Sequence, residues 1–128
     1  MLPNFLVPET DIREDGVSQE CELGSSSGKM LLVTLGITRI IEQESLDISI
    51  WGSADGQDWG AKPVVSFPQK FYCGTYQLLL DLSSRSDVKY VRVQWKMGRW
   101  GRGSEKPLFG FYVFSEELAD QSLAARTA

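Results

Sequence analysis

The sequence predicts an all-β fold: an antiparallel β-sandwich of the jelly-roll type with about seven or eight strands. Short runs of β-branched and aromatic residues recur along the 128 residues, and glycine, proline, serine or aspartate separates each run from the next. Many runs alternate apolar with polar residues, as strands do when only one face is buried. The interior of the chain shows almost no helical pattern, so a sandwich or barrel is expected.

The chain is predicted to be one sandwich domain, residues 17–115, flanked by two terminal segments. Residues 1–16 contain prolines and many acidic residues, which predicts an extended N-terminal arm that does not pack. Residues 116–128 are predicted to form a short C-terminal helix or a tail. Ser115 is suited to cap such a helix, because its hydroxyl can accept a hydrogen bond from the first turn.

Two runs open the domain. Residues 17–23 alternate in polarity, with three side chains on the apolar face: Val17, Cys21 and Leu23. Residues 30–41, MLLVTLGITRII, are apolar almost throughout. They predict a central strand that is covered on both faces and bent or bulged at Gly36.

The later runs complete the predicted sandwich. Residues 46–53, LDISIWGS, alternate most clearly, with Leu46, Ile48 and Ile50 facing one way. Shorter runs at 63–67, 75–82 and 107–114 predict three more strands. Residues 88–97 alternate again, with an inward face of Val91, Val93, Trp95 and Met97 and an outward face of Tyr90, Arg92, Gln94 and Lys96.

The net charge of −4 is distributed unevenly. Residues 1–22 hold six acidic side chains and one basic, a local charge of −5, whereas residues 85–106 hold seven basic and two acidic, a local charge of +5. Such asymmetry indicates an anionic ligand at the basic segment, or an acidic arm that folds over the basic face of its own chain or of a neighbour. The sequence leaves these alternatives open.

The composition argues against an enzyme. Histidine is absent, which removes the commonest general base and the commonest metal ligand. Cys21 and Cys73 are expected to be thiols rather than a disulfide. A zinc site would have to combine them with carboxylates, which is unusual. We therefore predict no catalytic residue, no metal and no cofactor.

The sequence also predicts where the protein resides. No apolar run approaches the roughly 20 residues of a membrane span. The N-terminus, MLPNFLVPETD, lacks the basic and apolar regions of a signal peptide. These observations predict a cytoplasmic or virion-associated protein.

One short motif carries a resemblance to known domains. The stretch LDISIWGSADGQDW contains the pattern G-S-x-D-G-x-x-W, formed by Gly52, Ser53, Asp55, Gly56 and Trp59. Over about residues 45–97 the chain resembles discoidin-type β-sandwich domains and small β-sandwich proteins of phage structural modules. The resemblance implies a jelly-roll binding or structural module, with loops at one end that take glycans or lipid head groups. The two cysteines do not lie at the two ends, as a discoidin-type disulfide requires, and this favours a bacterial or phage protein over an extracellular one.

The strongest candidate site is the loop MGRWGRGSEKP, residues 97–107. Its glycines permit close approach of the backbone to a ligand, its arginines suit an anionic group, and its tryptophan suits a sugar ring. Two aromatic residues of other loops would join it if those loops lie at the same end of the sandwich. The predicted ligand or interface residues are Trp59, Tyr72, Arg99, Trp100 and Arg102. In the alternative, Trp100 caps the sandwich and the arginines pair with the acidic arm.

Two further patterns have ordinary explanations. The outward face of residues 88–97 combines tyrosine, arginine and lysine, which suits single-stranded nucleic acid. The chain is acidic, however, with a pI of about 4.8, and nucleic acid is not expected as a partner. Asp55 and Asp58 are too few for the roughly six to eight oxygens that calcium takes, so a turn is expected there.

These observations predict a non-enzymatic structural or assembly module. Its acidic arm and basic loop would make contacts between proteins, in a homo-oligomer or a larger assembly, because opposite charges on separate patches suit head-to-tail contacts. The alternative is a carbohydrate- or anion-binding module with an aromatic and arginine site in its loops.

Overall fold

The computed structural model describes residues 3–41, 44–70, 72–99 and 108–118, and the findings below concern these residues. They form nine β-strands and one short 3-10 turn, Gly24–Ser26. None of them belongs to a helix of the length and hydropathy that a membrane span requires. The strands are β1 (Asn4–Ile12), β2 (Gly16–Val17), β3 (Cys21–Glu22), β4 (Met30–Ile41), β5 (Glu44–Ser53), β6 (Val65–Ser66), β7 (Gly74–Asp81), β8 (Tyr90–Arg99) and β9 (Leu108–Glu117).

The strands form two antiparallel sheets that enclose one core. Sheet A has the order β1-β9-β4-β7, and sheet B has the order β2-β8-β5-β6, with β3 also paired to β8. The partners are nested along the chain: β1 with β9, β2 and β3 with β8, β4 with β7, and β5 with β6. A long antiparallel ribbon that rolls up gives this nesting. The predicted all-β sandwich of jelly-roll type is therefore confirmed.

The core lies between the sheets and is filled by alternate residues of the long strands. Leu46, Ile48 and Ile50 of β5 are buried, as are Val91 and Val93 of β8. Sheet A contributes the facing layer, which includes Leu31, Val33, Leu35, Ile37, Phe109, Phe111 and Val113. Full burial of a side chain of this size contributes about 1.5–3 kcal/mol. The strands β4, β5, β8 and β9 therefore supply the main hydrophobic contribution to folding.

The N-terminal segment is packed along the sandwich. β1 pairs with β9 at the edge of sheet A, and Leu6 and Val7 are both buried. Two register shifts in β1 allow neighbouring residues to point inward. Pro8 is tolerated because an edge strand does not need all of its N–H groups. The expectation of an unpacked arm over residues 1–16 is wrong for residues 4–12, and the domain boundary at residue 17 stays a prediction.

The run at residues 17–23 is divided into β2 and β3. Between them, the Ser18 hydroxyl accepts a 2.9 Å hydrogen bond from the N–H of Val93. The register with β8 shifts by one residue across this break, which turns a side chain to the other face. Cys21 and Leu23 face the core as predicted, but Val17 is 48% exposed. Cys73 is exposed, and no disulfide joins it to Cys21.

The end of β9 replaces the start of the predicted helix. Ser115, the predicted cap, pairs with Val33 of β4, and β9 continues in register through Glu117. The Glu117 carboxylate accepts a 3.1 Å hydrogen bond from the Ser26 hydroxyl. The cap prediction is wrong because β4 supplies partners for the backbone of this segment. Residues 119–128 lie outside the described residues.

Gly36 provides space rather than a bend. It lies opposite Tyr112 of β9, and a Cβ atom at Gly36 would overlap the tyrosine ring. The predicted bulge lies instead between Ile37 and Arg39. The outer face of β4 is also less buried than the sequence predicts, since Leu32 on that face is only half-buried.

We expect Gly36→Ala to lower the free energy of unfolding by about 1–2 kcal/mol, because the added methyl group displaces the Tyr112 ring. Tyr112→Ala removes the obstacle, so Gly36→Ala should cost much less in that background. Urea unfolding followed by circular dichroism compares the four proteins of this double-mutant cycle. Equal effects of Gly36→Ala in both backgrounds would contradict the packing role.

Candidate binding site on the outer face of sheet B

The G-S-x-D-G-x-x-W motif forms the turn after β5, and its polar side chains bind the loop backbone. The Ser53 hydroxyl accepts hydrogen bonds from the N–H groups of Asp55 (3.2 Å) and Gly56 (2.8 Å) and donates to the Asp55 carboxylate (3.0 Å). The same carboxylate oxygen accepts from the N–H groups of Gln57 (2.8 Å) and Asp58 (3.0 Å). Gly56 has a φ of +80°, which favours glycine. The loop is thus held by its own side chains.

These contacts stabilise the charged form of Asp55. The N–H groups of Asp58 and Gln57, and then the Ser53 hydroxyl, lower the pKa of Asp55 below its ordinary value of 3.8. The Asp58 carboxylate accepts a 3.0 Å hydrogen bond from the N–H of Gly60. Both aspartates therefore serve the turn. The described residues contain no group of three histidine, cysteine, aspartate or glutamate side chains that could hold a metal ion.

The turn carries Trp59 back over sheet B, where it meets Arg92 of β8. The guanidinium carbon of Arg92 lies 4.3 Å from the centre of the Trp59 ring, as in a cation–π contact. Trp51 lies directly opposite Arg92 in the β5–β8 ladder, so its side chain is on the same outer face. The buried Nε of Arg92 has no hydrogen-bond partner among the described residues. The guanidinium is thus held against the Trp59 ring, with one buried donor unpaired among the described residues.

A surface cleft of about 560 Å³ opens beside this contact. It is lined by residues from the turn, from β8 and from the segment between β2 and β3: Ser18, Gln19, Glu20, Gly56, Trp59 and Arg92. The Glu20 carboxylate lies against Gly56, where a Cβ atom would be 2.8 Å from Oε2. Trp59 also borders a second cleft, of about 630 Å³, which reaches Arg85 and Asp87. The first cleft combines an aromatic ring with a cation, a carboxylate and an amide.

The acidic and basic segments meet within the chain. β2 and β3 belong to the acidic segment, residues 1–22, and both pair with β8 of the basic segment, residues 85–106. The Asp15 carboxylate accepts a 2.8 Å hydrogen bond from the N–H of Met97 in β8. The end of the acidic segment, residues 15–22, thus lies on the basic strand β8 of the same chain, whereas residues 4–12 pair with β9.

Trp59 and Tyr72, two of the predicted site residues, lie at opposite ends of the sandwich. Trp59 follows the C-terminal end of β5. Tyr72 follows Lys70, which bridges to Leu46 near the N-terminal end of the same strand, and it is 76% exposed. These two residues therefore do not form the common aromatic platform that was expected if their loops shared one end.

Of the other predicted site residues, only Arg99 has its backbone in the described part of the structure, and that backbone lies at the end of the sandwich at which Tyr72 lies. The backbone of Arg99 pairs with Glu44, the first residue of β5. The side chain of Arg99 lies outside the described part of the structure, as do Trp100 and Arg102 entirely. The loop at residues 97–107 stays a prediction as a ligand or interface site.

Sequence analysis places Arg92 on the outward face of β8 but does not identify it as a site residue. Alternation predicts the face of a strand, whereas the order of strands decides which residues lie beside it. Trp51 is missed for the same reason, because its position opposite Arg92 follows from the β5–β8 register. The sequence feature that could have pointed to this outer face is the pair of tryptophans on either side of the G-S-x-D-G turn.

We expect Asp55 to contribute a pH-dependent part of the stability. Its pKa is lower in the folded than in the unfolded chain, so the contribution is present above about pH 4 and is lost as the pH falls through the folded-state pKa. Asp55→Asn keeps an oxygen acceptor without the charge. The stability difference between the two proteins, measured by urea unfolding at several pH values, should therefore shrink in acid. A difference independent of pH would count against this role.

Comparisons with known proteins identify no family for this chain. No family model matches it, and no curated protein matches it at a significant level. The resemblance to discoidin-type and phage structural proteins has no support from these comparisons.

Solved structures that resemble the chain include two adhesin domains of Lys-gingipain from Porphyromonas gingivalis W83. The K3 cleaved adhesin domain has a TM-score of 0.49 and 15% identity, over 78% of this chain and 62% of that one. The K1 cleaved adhesin domain has a TM-score of 0.43 and 12% identity, over 88% of this chain and 66% of that one. The chain thus covers less than two thirds of either structure, and similarity of this extent carries no argument about function.

Proposed function

We propose that the chain is a non-enzymatic binding module that takes a carbohydrate in the cleft beside Trp59 and Arg92. One observation carries the proposal: a single open cleft combines an indole, a guanidinium, a carboxylate and a side-chain amide, from Trp59, Arg92, Glu20 and Gln19. Sites for small ligands commonly combine an aromatic surface with a few polar groups that fix the orientation of the ligand.

The chemistry of a sugar ring fits this combination. One side of a pyranose presents C–H groups that pack on an indole, and its rim presents hydroxyls that both donate and accept hydrogen bonds. The side-chain oxygens of Gln19 and Glu20 can accept from such hydroxyls, while the guanidinium of Arg92 donates in a planar fork. Because Ser53 and Asp55 hold the turn that carries Trp59, little loop entropy is lost on binding.

A neutral sugar fits better than an anionic ligand. Glu20 lines the cleft together with Arg92, and the chain has a net charge of −4, so an anion that approaches the guanidinium also approaches a carboxylate. The same charges disfavour nucleic acid, whose phosphates require a surplus of lysine and arginine. Of the carbohydrate and anion alternatives that the sequence offers, we therefore favour the carbohydrate and propose that it binds on sheet B.

Catalysis is not part of the proposal. The chain has no histidine, and Asp55, the carboxylate of the turn that carries Trp59, accepts hydrogen bonds from the loop backbone. A carboxylate that is occupied by backbone N–H groups suits a structural role more than proton transfer.

Assembly through charge pairing between chains is the other hypothesis that the sequence raises. Part of its acidic segment already pairs with β8 of the same chain, so this part is held in place and is less able to reach a neighbouring chain. We therefore put ligand binding first. Homo-oligomerisation remains a separate proposal, for which the structure offers a different surface.

Binding is expected to depend on the Trp59–Arg92 contact. A glycan array of neutral and acidic sugars selects the best ligand, and isothermal titration calorimetry then compares variants with the parent chain. Trp59→Ala should weaken binding by about tenfold or more, equivalent to about 1.4 kcal/mol, because the stacking surface is lost. Arg92→Lys should also weaken binding, since the charge remains but the planar fork does not.

Phe5→Ala is the matched control. Phe5 is an aromatic residue, 47% exposed, on the outer face of sheet A rather than sheet B, so its removal should leave binding unchanged. Equal losses for Trp59→Ala and Phe5→Ala would place the site elsewhere, and an array on which no glycan binds would refute the proposal. Binding of acidic glycans alone would refute the preference for a neutral sugar.

A further inference from the structure

Four strand edges end the two sheets, and three of them have features that hinder pairing with another chain. β1 contains Pro8 and two register shifts. On sheet B, one edge consists of the short strands β2 and β3, and the other is β6, which has only two residues. Proteins protect exposed edges with such prolines, bulges and short strands. The fourth edge, β7, has none of these features.

β7 is a regular strand of eight residues, Gly74–Asp81, that pairs with β4 without a register shift. It contains no proline, and its only charged residue is the last one, Asp81. Leu79 is 54% exposed on its outer face. Tyr76 and Leu78 point inward but are only half-buried. An edge of this kind is a template for another strand.

The free backbone groups of β7 can be located from the β4–β7 ladder. The N–H of Leu82 donates to the carbonyl of Lys29 (3.1 Å), one step beyond the Met30–Asp81 pair. Hydrogen-bonded pairs alternate along an antiparallel ladder. The residues that bond to β4 are therefore Gly74, Tyr76, Leu78 and Leu80. The alternate residues point their N–H and C=O groups to the open edge, with which no described strand pairs: Thr75, Gln77, Leu79 and Asp81.

We propose that this edge pairs with β7 of a second copy of the chain, antiparallel about a twofold axis at Gln77. The two A sheets then join into one continuous sheet. In this register Gln77 lies opposite the partner's Gln77, and Thr75 lies opposite the partner's Leu79. On the inner face, Tyr76 lies opposite the partner's Leu78, so side chains that are half-buried in one chain cover each other.

Symmetry and charge both favour an identical strand as the partner. An antiparallel contact between two copies of one strand is isologous, and an axis at Gln77 pairs the three uncharged residues with free backbone groups with one another. Residues 74–80 are uncharged, so the paired strands themselves bring no like charges opposite each other despite the net charge of −4. The Lys70 ammonium of each copy lies against its own Tyr76 ring, 3.9 Å from the ring centre. The other three edges are unsuited to receive β7 for the reasons given above. The contact lies on sheet A, and it is independent of the carbohydrate proposed for sheet B.

Sedimentation velocity over a range of concentrations tests the dimer with the whole chain. Gln77→Lys places like charges opposite each other across the axis and should raise the dimer dissociation constant by about fivefold or more. Added salt should reduce this effect, because it screens the two charges. Gln77→Thr is the matched control, since it keeps a neutral residue that favours strands, and it should leave the dimer intact.

Cysteine cross-linking tests the register in a Cys73→Ser background, which removes the exposed native thiol. Gln77→Cys should form a disulfide-linked dimer on mild oxidation, because Cα atoms of a hydrogen-bonded pair lie about 5.5 Å apart, within the range of a disulfide. Thr75→Cys, on the same face of the same strand, should not, because the two copies of that position would lie about 14 Å apart along the ladder.

Several results would overturn the proposal. A parent chain that sediments as a monomer at all concentrations has no such interface. A dimer that Gln77→Lys does not weaken uses another surface. Cross-linking of Thr75→Cys as readily as Gln77→Cys would show that the strands do not meet in this register.

Discussion

The alternation of β8 is the constraint on which both the core and the candidate site depend. Val91 and Val93 are buried between the sheets, and Arg92, which lies between them in sequence, must therefore face outward. β8 also holds sheet B together, because it pairs with β2 and β3 on one side and with β5 on the other. A shift of one residue in the register of β8 would turn the guanidinium of Arg92 into the apolar core and expose the two valines. The register that stabilises the fold thus also fixes the arginine beneath Trp59.

The sequence predicts the fold where side chains alone decide the structure. The long strands are predictable because their two faces meet different surroundings, as Leu46, Ile48 and Ile50 illustrate. The packing of β1 is not, since Leu6 and Val7 are buried side by side at an irregular register that breaks the period of two. The end of β9 is missed for a related reason. Ser115 suits a helix cap in isolation, and only its pairing with β4 makes it part of a strand.

The candidate site likewise combines one residue that is positioned by its neighbours in sequence with another that is positioned by the pairing of distant strands. Trp59 can be identified from sequence because Ser53, Asp55 and Gly56 build its turn from local hydrogen bonds. Local chemistry of this kind can recur in unrelated sandwiches, which accounts for a motif resemblance without a matching family. Arg92 cannot be identified as its neighbour from sequence, because their contact depends on which strands are adjacent. The same jelly-roll connectivity separates Tyr72 from Trp59.

The two proposals have a joint consequence for binding strength. Residues that pair directly across a ladder point to the same side, so in a dimer joined through β7 the inner faces of both A sheets look the same way. Sheet B packs on that inner face in each copy, and the two Trp59–Arg92 clefts therefore face in one direction. A surface that displays many copies of one glycan can engage both clefts, which makes the second binding event intramolecular and strengthens binding by about a hundredfold or more. Loss of the dimer through Gln77→Lys would then weaken binding to a glycan-coated surface while leaving the affinity for a soluble monovalent sugar unchanged.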